Sequence, residues 1–165
     1  MKGRSIIDAI KASGIEFVVS VPDIVTSDGI LWPLTREPGL RLIRVCKEDE
    51  GVSICAGLSY CDKRALLLMQ NTGLLDSLNA IRAIGVEYQQ PICMMVGLQG
   101  KEPDLAPTES KQYAVRVVEP ILDVMGIEHI LLQDETDVAR IAPAINRAYE
   151  TSRPSVTLIG RSPTR

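Results

Sequence analysis

The sequence has few of the side chains that enzymes commonly use for metal binding and nucleophilic catalysis. It contains one histidine, His129, and four cysteines, none of them in a C-x-x-C pair. A Cys–His nucleophile pair or a histidine-rich zinc site would therefore depend on His129 alone. Cys46, Cys55, Cys61 and Cys93 lie among apolar or small residues, so we expect buried, reduced thiols that act as small hydrophobic side chains. We expect the protein to work without imidazole.

The chain also lacks an excess of charge and any long apolar run. Its formal net charge is −3, with acids and bases mixed along the sequence, which predicts no nucleic-acid surface and no polybasic membrane patch. No apolar run has the length of a bilayer-spanning helix. The first residues, MKGRSIIDAIKASG, have an amphipathic helical pattern rather than that of a signal segment. We expect a cytoplasmic protein.

Glycine-rich phosphate-binding motifs are absent as well. The sequence holds no G-x-x-x-x-G-K-[ST] and no G-x-G-x-x-G, so a classical nucleotide or NAD site is unsupported. A flavodoxin-like ligand-binding module has no phosphate loop to support it.

What the sequence does contain is a regular alternation of short apolar runs and helical patterns. A chain of 165 residues suits one domain, and we predict a single domain over residues 1–165. The apolar runs predict strands at 16–21, 40–45, 65–70, 91–98, 128–133 and 155–160. The intervening patterns predict helices at 5–13, 24–35, 49–61, 74–85, 114–125 and 136–149. Near-continuous apolar strands separated by helices predict a doubly wound α/β fold, with a six-stranded parallel sheet covered on both faces.

Residues 99–113 form the longest stretch with no predicted helix or strand. The segment is polar, contains Pro103 and Pro107, and is long for a loop within a compact domain. Such loops are usually functional, which predicts a lid or a partner contact, although a merely mobile segment is the alternative.

Three strand-to-helix junctions carry polar residues that could form a ligand site. PDI follows the first strand at 22–24, CKE follows the second at 46–48, and NTG follows the third at 71–73. Ligands of open parallel sheets bind beyond the carboxyl ends of the strands, so these junctions are expected to meet at one rim. Taken singly, Asp23 and Asp49 are better explained as helix caps, and NTG as a turn that leads into a helix.

Together, three segments resemble the pyrimidine-binding domain of thiamine diphosphate-dependent decarboxylases. They are SVPDIV, EDEGVSICAGLSY and LMQNTGLLDSLNAI. The resemblance is closest to the sulfopyruvate and phosphonopyruvate decarboxylases, whose corresponding segments read VPDS, a glutamate nine residues before a glycine, and QNSGLGNS-N. The order and spacing match over nearly the whole chain. The third segment is the most specific, with matches at Gln70, Asn71, Gly73, Leu74, Ser77 and Asn79.

The resemblance assigns the catalytic and cofactor-binding role to Glu48, which lies nine residues before Gly57. In this family that carboxyl group binds N1′ of the aminopyrimidine and takes part in its proton transfer. We expect Glu48 at the end of the strand, with Asp49 and Glu50 stabilising the first turn of the following helix. Four small residues are expected to let that helix pack closely, namely Gly51, Ser53, Ala56 and Gly57.

The same resemblance assigns residues to the cofactor and to the substrate mouth. The further cofactor-binding residues would be Asn71, Thr72, Gly73 and Leu74. The substrate mouth would be formed by Pro22, Asp23 and Ile24. The sequence departs from the family at Ile24, where the subfamily usually has serine, and at Leu75 and Asp76, which replace Gly-Asn. The loss of a hydroxyl group at the mouth removes a possible hydrogen bond to the substrate, so the resemblance does not decide the identity of the 2-oxo acid.

One family motif is missing, and its absence implies a partner. Thiamine enzymes hold magnesium and diphosphate with a GDG motif and a downstream asparagine, which this chain lacks. The resemblance therefore implies an α subunit that binds no metal itself and shares thiamine diphosphate with a β subunit, which supplies the Mg²⁺ and diphosphate ligands. The expected substrate is a small anionic 2-oxo acid, sulfopyruvate or phosphonopyruvate. The alternatives are a thiamine-dependent decarboxylase or carboligase for another 2-oxo acid, and a non-catalytic assembly or regulatory subunit.

Overall fold

Six parallel strands form one sheet in the order β2-β1-β3-β4-β6-β5 in the computed structural model, which describes residues 1–165. The strands are β1 Phe17–Ser20, β2 Arg41–Arg44, β3 Ala65–Gln70, β4 Cys93–Gly97, β5 Glu128–Leu132 and β6 Ser155–Ile159. Every neighbouring pair is parallel. The prediction of a six-stranded parallel sheet is confirmed, with boundaries that differ by at most two residues.

The helices cover both faces of the sheet. The α-helices are α1 Gly3–Ala12, α2 Trp32–Leu34, α3 Glu48–Tyr60, α4 Asn71–Asp76, α5 Leu78–Ala80, α6 Tyr113–Arg116, α7 Val118–Val124 and α8 Ile141–Thr151. Wider turns of the π type cover Ser27–Leu31 and Ile81–Glu87, and tighter 3₁₀ turns cover Pro107–Glu109 and Glu135–Arg140. None of the helices is long and apolar enough to cross a bilayer.

Several predicted helices are interrupted rather than continuous. The pattern at 114–125 is divided at Val117, because Pro120 has no N–H to donate to the carbonyl of Arg116. The pattern at 74–85 begins earlier, at Asn71, and is divided at Ser77, whose φ of −94° and ψ of 1° leave the helical region. Periodicity identified these helices but did not locate their breaks.

The sheet separates two hydrophobic layers of equal size. Side chains alternate along each strand, so that Val18 and Leu66 face the layer of α1 and α8, while Val19 and Leu67 face the layer of α3 and α4. Each layer contains 19 buried residues, so the central strands are covered on both faces. Burial on both faces explains why the strands have continuous apolar sequences rather than alternating ones.

The strand order brings the three candidate junctions together. The chain passes from β1 outward to β2 and then crosses to β3 on the other side of β1. This reversal of direction is the place where open parallel sheets bind ligands. The junctions that follow β2, β1 and β3 therefore lie side by side at one edge, and their predicted convergence is confirmed.

The thiols and the histidine divide between the interior and the surface. Cys55 and Cys93 are buried, as expected, and burial raises the pKa of the Cys93 thiol to about 12. The expectation is wrong for Cys46 and Cys61, which are exposed because they lie in the connections at the two ends of α3. His129 Nδ1 lies 3.2 Å from the carbonyl oxygen of Ile127.

Two glycines of α3 have opposite environments, although both were expected to permit close packing. A Cβ on Gly51 would lie 2.5 Å from Leu67 Cδ1 in the core, whereas a Cβ on Gly57 would have nothing within 4 Å. The packing role is confirmed for Gly51 and is wrong for Gly57 and Ser53, which lie on the exposed side of the helix. The sheet contacts only one side of α3.

We therefore predict opposite effects of alanine at these two glycines. Gly51→Ala should lower the free energy of unfolding by about 1–3 kcal/mol, because the added methyl group overpacks the core. Gly57→Ala should raise it by up to about 1 kcal/mol, because alanine is the better helix former at an exposed position. Urea denaturation of the two variants measures both effects. Changes of the same sign would contradict the assignment of their environments.

Candidate functional site

Helix α3 begins at Glu48, one residue earlier than predicted. Lys47 is the N-cap, in an extended conformation with φ −137° and ψ 148°. The Glu50 carboxylate accepts hydrogen bonds from the backbone N–H groups of Cys46, at 3.1 Å, and Lys47, at 3.4 Å. These bonds cap the helix just before Glu48. The expectation that Glu48 precedes the helix is therefore wrong, since all three acids lie in its first turn.

The three acids nevertheless have different surroundings. Glu50 caps the helix, and Asp49 Oδ1 accepts from the backbone N–H of Glu50 at 3.0 Å, so both acids lie at the helix start as predicted. The interpretation of Asp49 itself as the cap is wrong, because the N-cap is Lys47. Lys47 pairs with Asp76 of α4 at 3.2 Å, and this contact raises the pKa of Lys47. The Glu48 carboxylate is half-buried and has no hydrogen-bond or ion-pair partner in the chain. It is the acid that remains available for a ligand.

Gly73 makes the space that the Glu48 side chain occupies. A Cβ on Gly73 would lie 2.5 Å from Glu48 Cγ and closer still to its carboxyl group. Such distances are far inside van der Waals contact, so only glycine at this position leaves the carboxylate where it is. The structure thus brings together the residues that the second and third family segments assigned to the cofactor.

The remaining residues assigned to the cofactor have different positions. NTG is not a turn, because α4 begins directly at Asn71 after an extended Gln70. Thr72 is exposed at the rim, where its Oγ1 accepts a hydrogen bond from Gln70 Nε2 at 2.8 Å. Leu74 is fully buried in the hydrophobic layer beneath α4. Its side chain therefore belongs to the core and not to the surface of the site.

Asn71 is buried, and its side chain is already engaged within the protein. Its Nδ2 donates to the carbonyl oxygen of Ala114 at 3.1 Å, and its Oδ1 accepts from the backbone N–H of Gln99 at 3.1 Å. These partners are the two ends of the long loop. Sequence reasoning missed this contact, for which the only signal was a polar residue at the end of a buried strand.

The predicted substrate mouth consists of a capped turn and an exposed apolar side chain. Asp23 Oδ1 accepts from the backbone N–H groups of Val25, at 2.7 Å, and Thr26, at 2.8 Å, and its Oδ2 accepts from the Thr26 hydroxyl. Asp23 thus caps the turn at residues 24–26, whereas the helical turn that follows, Ser27–Leu31, has Thr26 as its N-cap. Pro22 is exposed, and Ile24 is 76% exposed at the same rim.

The loop at 99–113 is held by its own hydrogen bonds. The Glu102 carboxylate accepts from Ser110 Oγ at 2.7 Å and from the backbone N–H of Lys111 at 3.2 Å. The Ser110 bond is the main reason that the pKa of Glu102 is lowered. Lys101 is buried, and its Nζ donates to Gln133 Oε1 beyond the end of β5 at 3.2 Å. The loop is therefore tied to the sheet as well as to itself.

Two relatives decide the family. The sulfopyruvate decarboxylase subunit alpha of Methanococcus maripaludis is 32% identical over 120 residues, which cover 72% of this chain and 71% of that protein. The subunit alpha of Methanocaldococcus jannaschii is 30% identical over 128 residues, which cover 77% of this chain and 74% of that one. The chain belongs to the sulfopyruvate decarboxylase alpha-subunit family. The predicted family is confirmed, and with it the enzyme class, a subunit of a carboxy-lyase. No family model matches the sequence.

Two longer proteins each contain a region that is similar to this chain. Sulfopyruvate decarboxylase of Methanosarcina acetivorans is 25% identical over 157 residues, which cover 94% of this chain but 39% of that protein. The 2-oxoglutarate:ferredoxin oxidoreductase of Magnetococcus marinus superposes with a TM-score of 0.69 at 18% identity, covering 98% of this chain and 29% of that chain. At that identity the second similarity shows the fold alone.

Proposed function

We propose that this chain is the α subunit of a thiamine diphosphate-dependent sulfopyruvate decarboxylase, which releases carbon dioxide from sulfopyruvate and leaves the aldehyde. The observation that carries the proposal is the unpaired Glu48 carboxylate, held against Gly73 at the reversal point of the sheet. Membership of the family supports the reaction, and the names of the relatives support the substrate.

The residues at this rim fit the aminopyrimidine of the cofactor. Glu48 offers a carboxyl group that no protein donor occupies, and Gly73, which has no side chain, lets that carboxyl group lie against α4. Thr72 offers an exposed hydroxyl on the next helix. When bound, thiamine diphosphate supplies the carbon that attacks the 2-oxo group and the electron sink for the departing carbon dioxide.

The role of this chain is to position and exchange one proton. We assign to Glu48 the hydrogen bond to N1′ of the pyrimidine, through which the carboxyl group holds or transfers the proton. Helix α3 carries Glu48, and Gly73 of α4 lets its carboxyl group lie close to the neighbouring helix. Asp49 and Glu50 have no part in this step, because they stabilise the helix terminus.

The diphosphate and magnesium are assigned to a β subunit. This chain lacks the GDG motif, and no group of three or more His, Cys, Asp or Glu side chains is placed to hold a metal ion. In the proposed enzyme, residues 1–165 act as one pyrimidine-binding domain, and the β subunit docks on the rim beside α3 and α4. Exposed Ile24 would then lie at the substrate mouth between the two chains.

Reconstitution tests the proposal. The chain alone, the GDG-containing partner alone and their mixture should be assayed with thiamine diphosphate and Mg²⁺ on sulfopyruvate, phosphonopyruvate and pyruvate. We expect carbon dioxide only from the mixture, with the highest kcat/KM on sulfopyruvate. Turnover by the isolated chain would contradict the division of the cofactor site between two subunits. A higher kcat/KM on phosphonopyruvate would identify phosphonopyruvate as the substrate instead. A mixture inactive on every 2-oxo acid would favour an assembly or regulatory role.

A further inference from the structure

The side chain of Asn71 joins two backbone positions that are far apart in sequence. Gln99 and Ala114 lie 28 and 43 residues after Asn71, and each makes a hydrogen bond of 3.1 Å with its amide group. Asn71 is 1% exposed, so these bonds are shielded from water. Removing one partner of a buried hydrogen bond leaves the other unsatisfied, so the contact holds the base of the loop firmly.

A second set of contacts closes the loop further along. Glu102 accepts from Ser110 and Lys111, while Arg116 Nη1 donates to the carbonyl oxygen of Ser110 at 2.8 Å. Ser110 is 1% exposed and lies at the centre of these contacts. The segment is therefore a closed loop with two fastenings, one at Asn71 and one at Glu102.

The fastening at Asn71 lies in the same helical turn as Gly73 of the candidate site. Asn71 and Gly73 both lie in the first turn of α4, with Gly73 against Glu48 and Asn71 bonded to the loop. Helix α4 also contacts α6, which begins where the loop ends. The base of the loop is therefore attached to the same helical turn that lies against Glu48.

We propose that Asn71 is a positioning residue that holds the loop at 99–113 as a wall of the substrate site, and that it does not bind the cofactor. The nitrogen and the oxygen of its buried amide group both form hydrogen bonds within the chain. We therefore assign the contact with thiamine diphosphate to Glu48 and its neighbours. The loop then sets the affinity for the 2-oxo acid. The proposal rests on the proposed function for its kinetic consequences, but the fastening itself is independent of that function.

Hydrogen exchange of the isolated chain tests the fastening. In Asn71→Ala the Gln99 amide should exchange about tenfold faster, because it keeps only its 3.2 Å bond to the Gly97 carbonyl oxygen and a loss of about 1.4 kcal/mol is a tenfold change. Asn71→Asp keeps the acceptor and the size of the side chain, so it should keep most of the Gln99 protection while releasing Ala114. Asn79→Ala is the control, since Asn79 is exposed and its side chain contacts only Arg82. Unchanged exchange at Gln99 in Asn71→Ala would overturn the proposal.

Kinetics of the reconstituted enzyme test the consequence. Asn71→Asp should raise KM for the 2-oxo acid about tenfold, with Kd for thiamine diphosphate unchanged within about twofold. Glu102→Ala, which loosens the loop without touching Asn71, should give the same pattern. A parallel weakening of cofactor binding in Asn71→Asp, or an unchanged KM in both variants, would overturn the proposal. A wild-type complex without turnover would refute the proposed function. Hydrogen exchange of the isolated chain would still show whether Asn71 holds the base of the loop.

Discussion

Replacing Glu48 by glutamine is expected to lower kcat of the reconstituted enzyme by about 10³-fold, within the range that general acid–base groups contribute. The amide has nearly the same shape as the carboxyl group but cannot hold or release the proton at the pyrimidine. Glu48 makes no hydrogen bond within the chain, so the fold and the assembly of the subunits should not change. Steady-state decarboxylation and size-exclusion chromatography of the complex measure the two quantities.

The neighbouring acid provides a matched control for that variant. Asp49→Asn removes the same unit of charge from the same turn of α3 and should leave kcat within about twofold, because charge at a helix end has only a small effect. Equal losses in the two variants would show that the charge of the helix terminus matters and that Glu48 has no special role. Full activity of Glu48→Gln would refute the assignment of the proton transfer.

Gly73→Ala is expected to raise the stability of the chain and to lower the activity of the complex. The new methyl group would collide with the Glu48 side chain, which can rotate away into the solvent-exposed rim. The helix itself should gain up to about 1 kcal/mol, because alanine is a better helix former than glycine. Displacement of the carboxyl group by about 1 Å should nevertheless lower kcat by about 10²-fold. Thermal unfolding of the chain and the turnover of the complex measure these opposite effects.

Gly57→Ala is the control for this second variant. It makes the same substitution on an exposed helical position where the methyl group would touch nothing. A similar gain in stability with unchanged turnover is expected. A Gly73→Ala enzyme with full activity would contradict the inference that Gly73 sets the position of Glu48. A Gly73→Ala chain that is strongly destabilised would show that the clash is relieved by the backbone and not by Glu48.

These variants concern a short helix with two functions. The first turn of α4 limits Glu48 through Gly73 and fastens the loop through Asn71. The family resemblance assigned both residues to the cofactor, since they lie in one motif. In the structure Gly73 lies against Glu48, whereas Asn71 bonds to Gln99 and Ala114, and the role that we propose for Asn71 differs accordingly. A shared motif therefore does not require a shared contact.

Much of the architecture could be predicted because its causes are local. A strand buried on both faces is largely apolar, so ALLLMQ predicts β3 with its correct boundaries. The convergence of the three junctions followed from the rule for parallel sheets. The break at Ser77 did not follow, since the apolar periodicity continues through it. Nor did the start of α3, which depends on Glu50 reaching back to Cys46. The break at Val117 had a local signal in Pro120, which periodicity alone does not use.

Apolar patterns and the spacing of three segments are enough to predict the fold class, the family and Glu48 as the candidate acid. The contacts of each side chain at the site depend on how the helices pack. Gly73 lies against Glu48, and Asn71 bonds to positions 28 and 43 residues away. Contacts over such separations arise from the packing of helices on the sheet, and no local pattern encodes them.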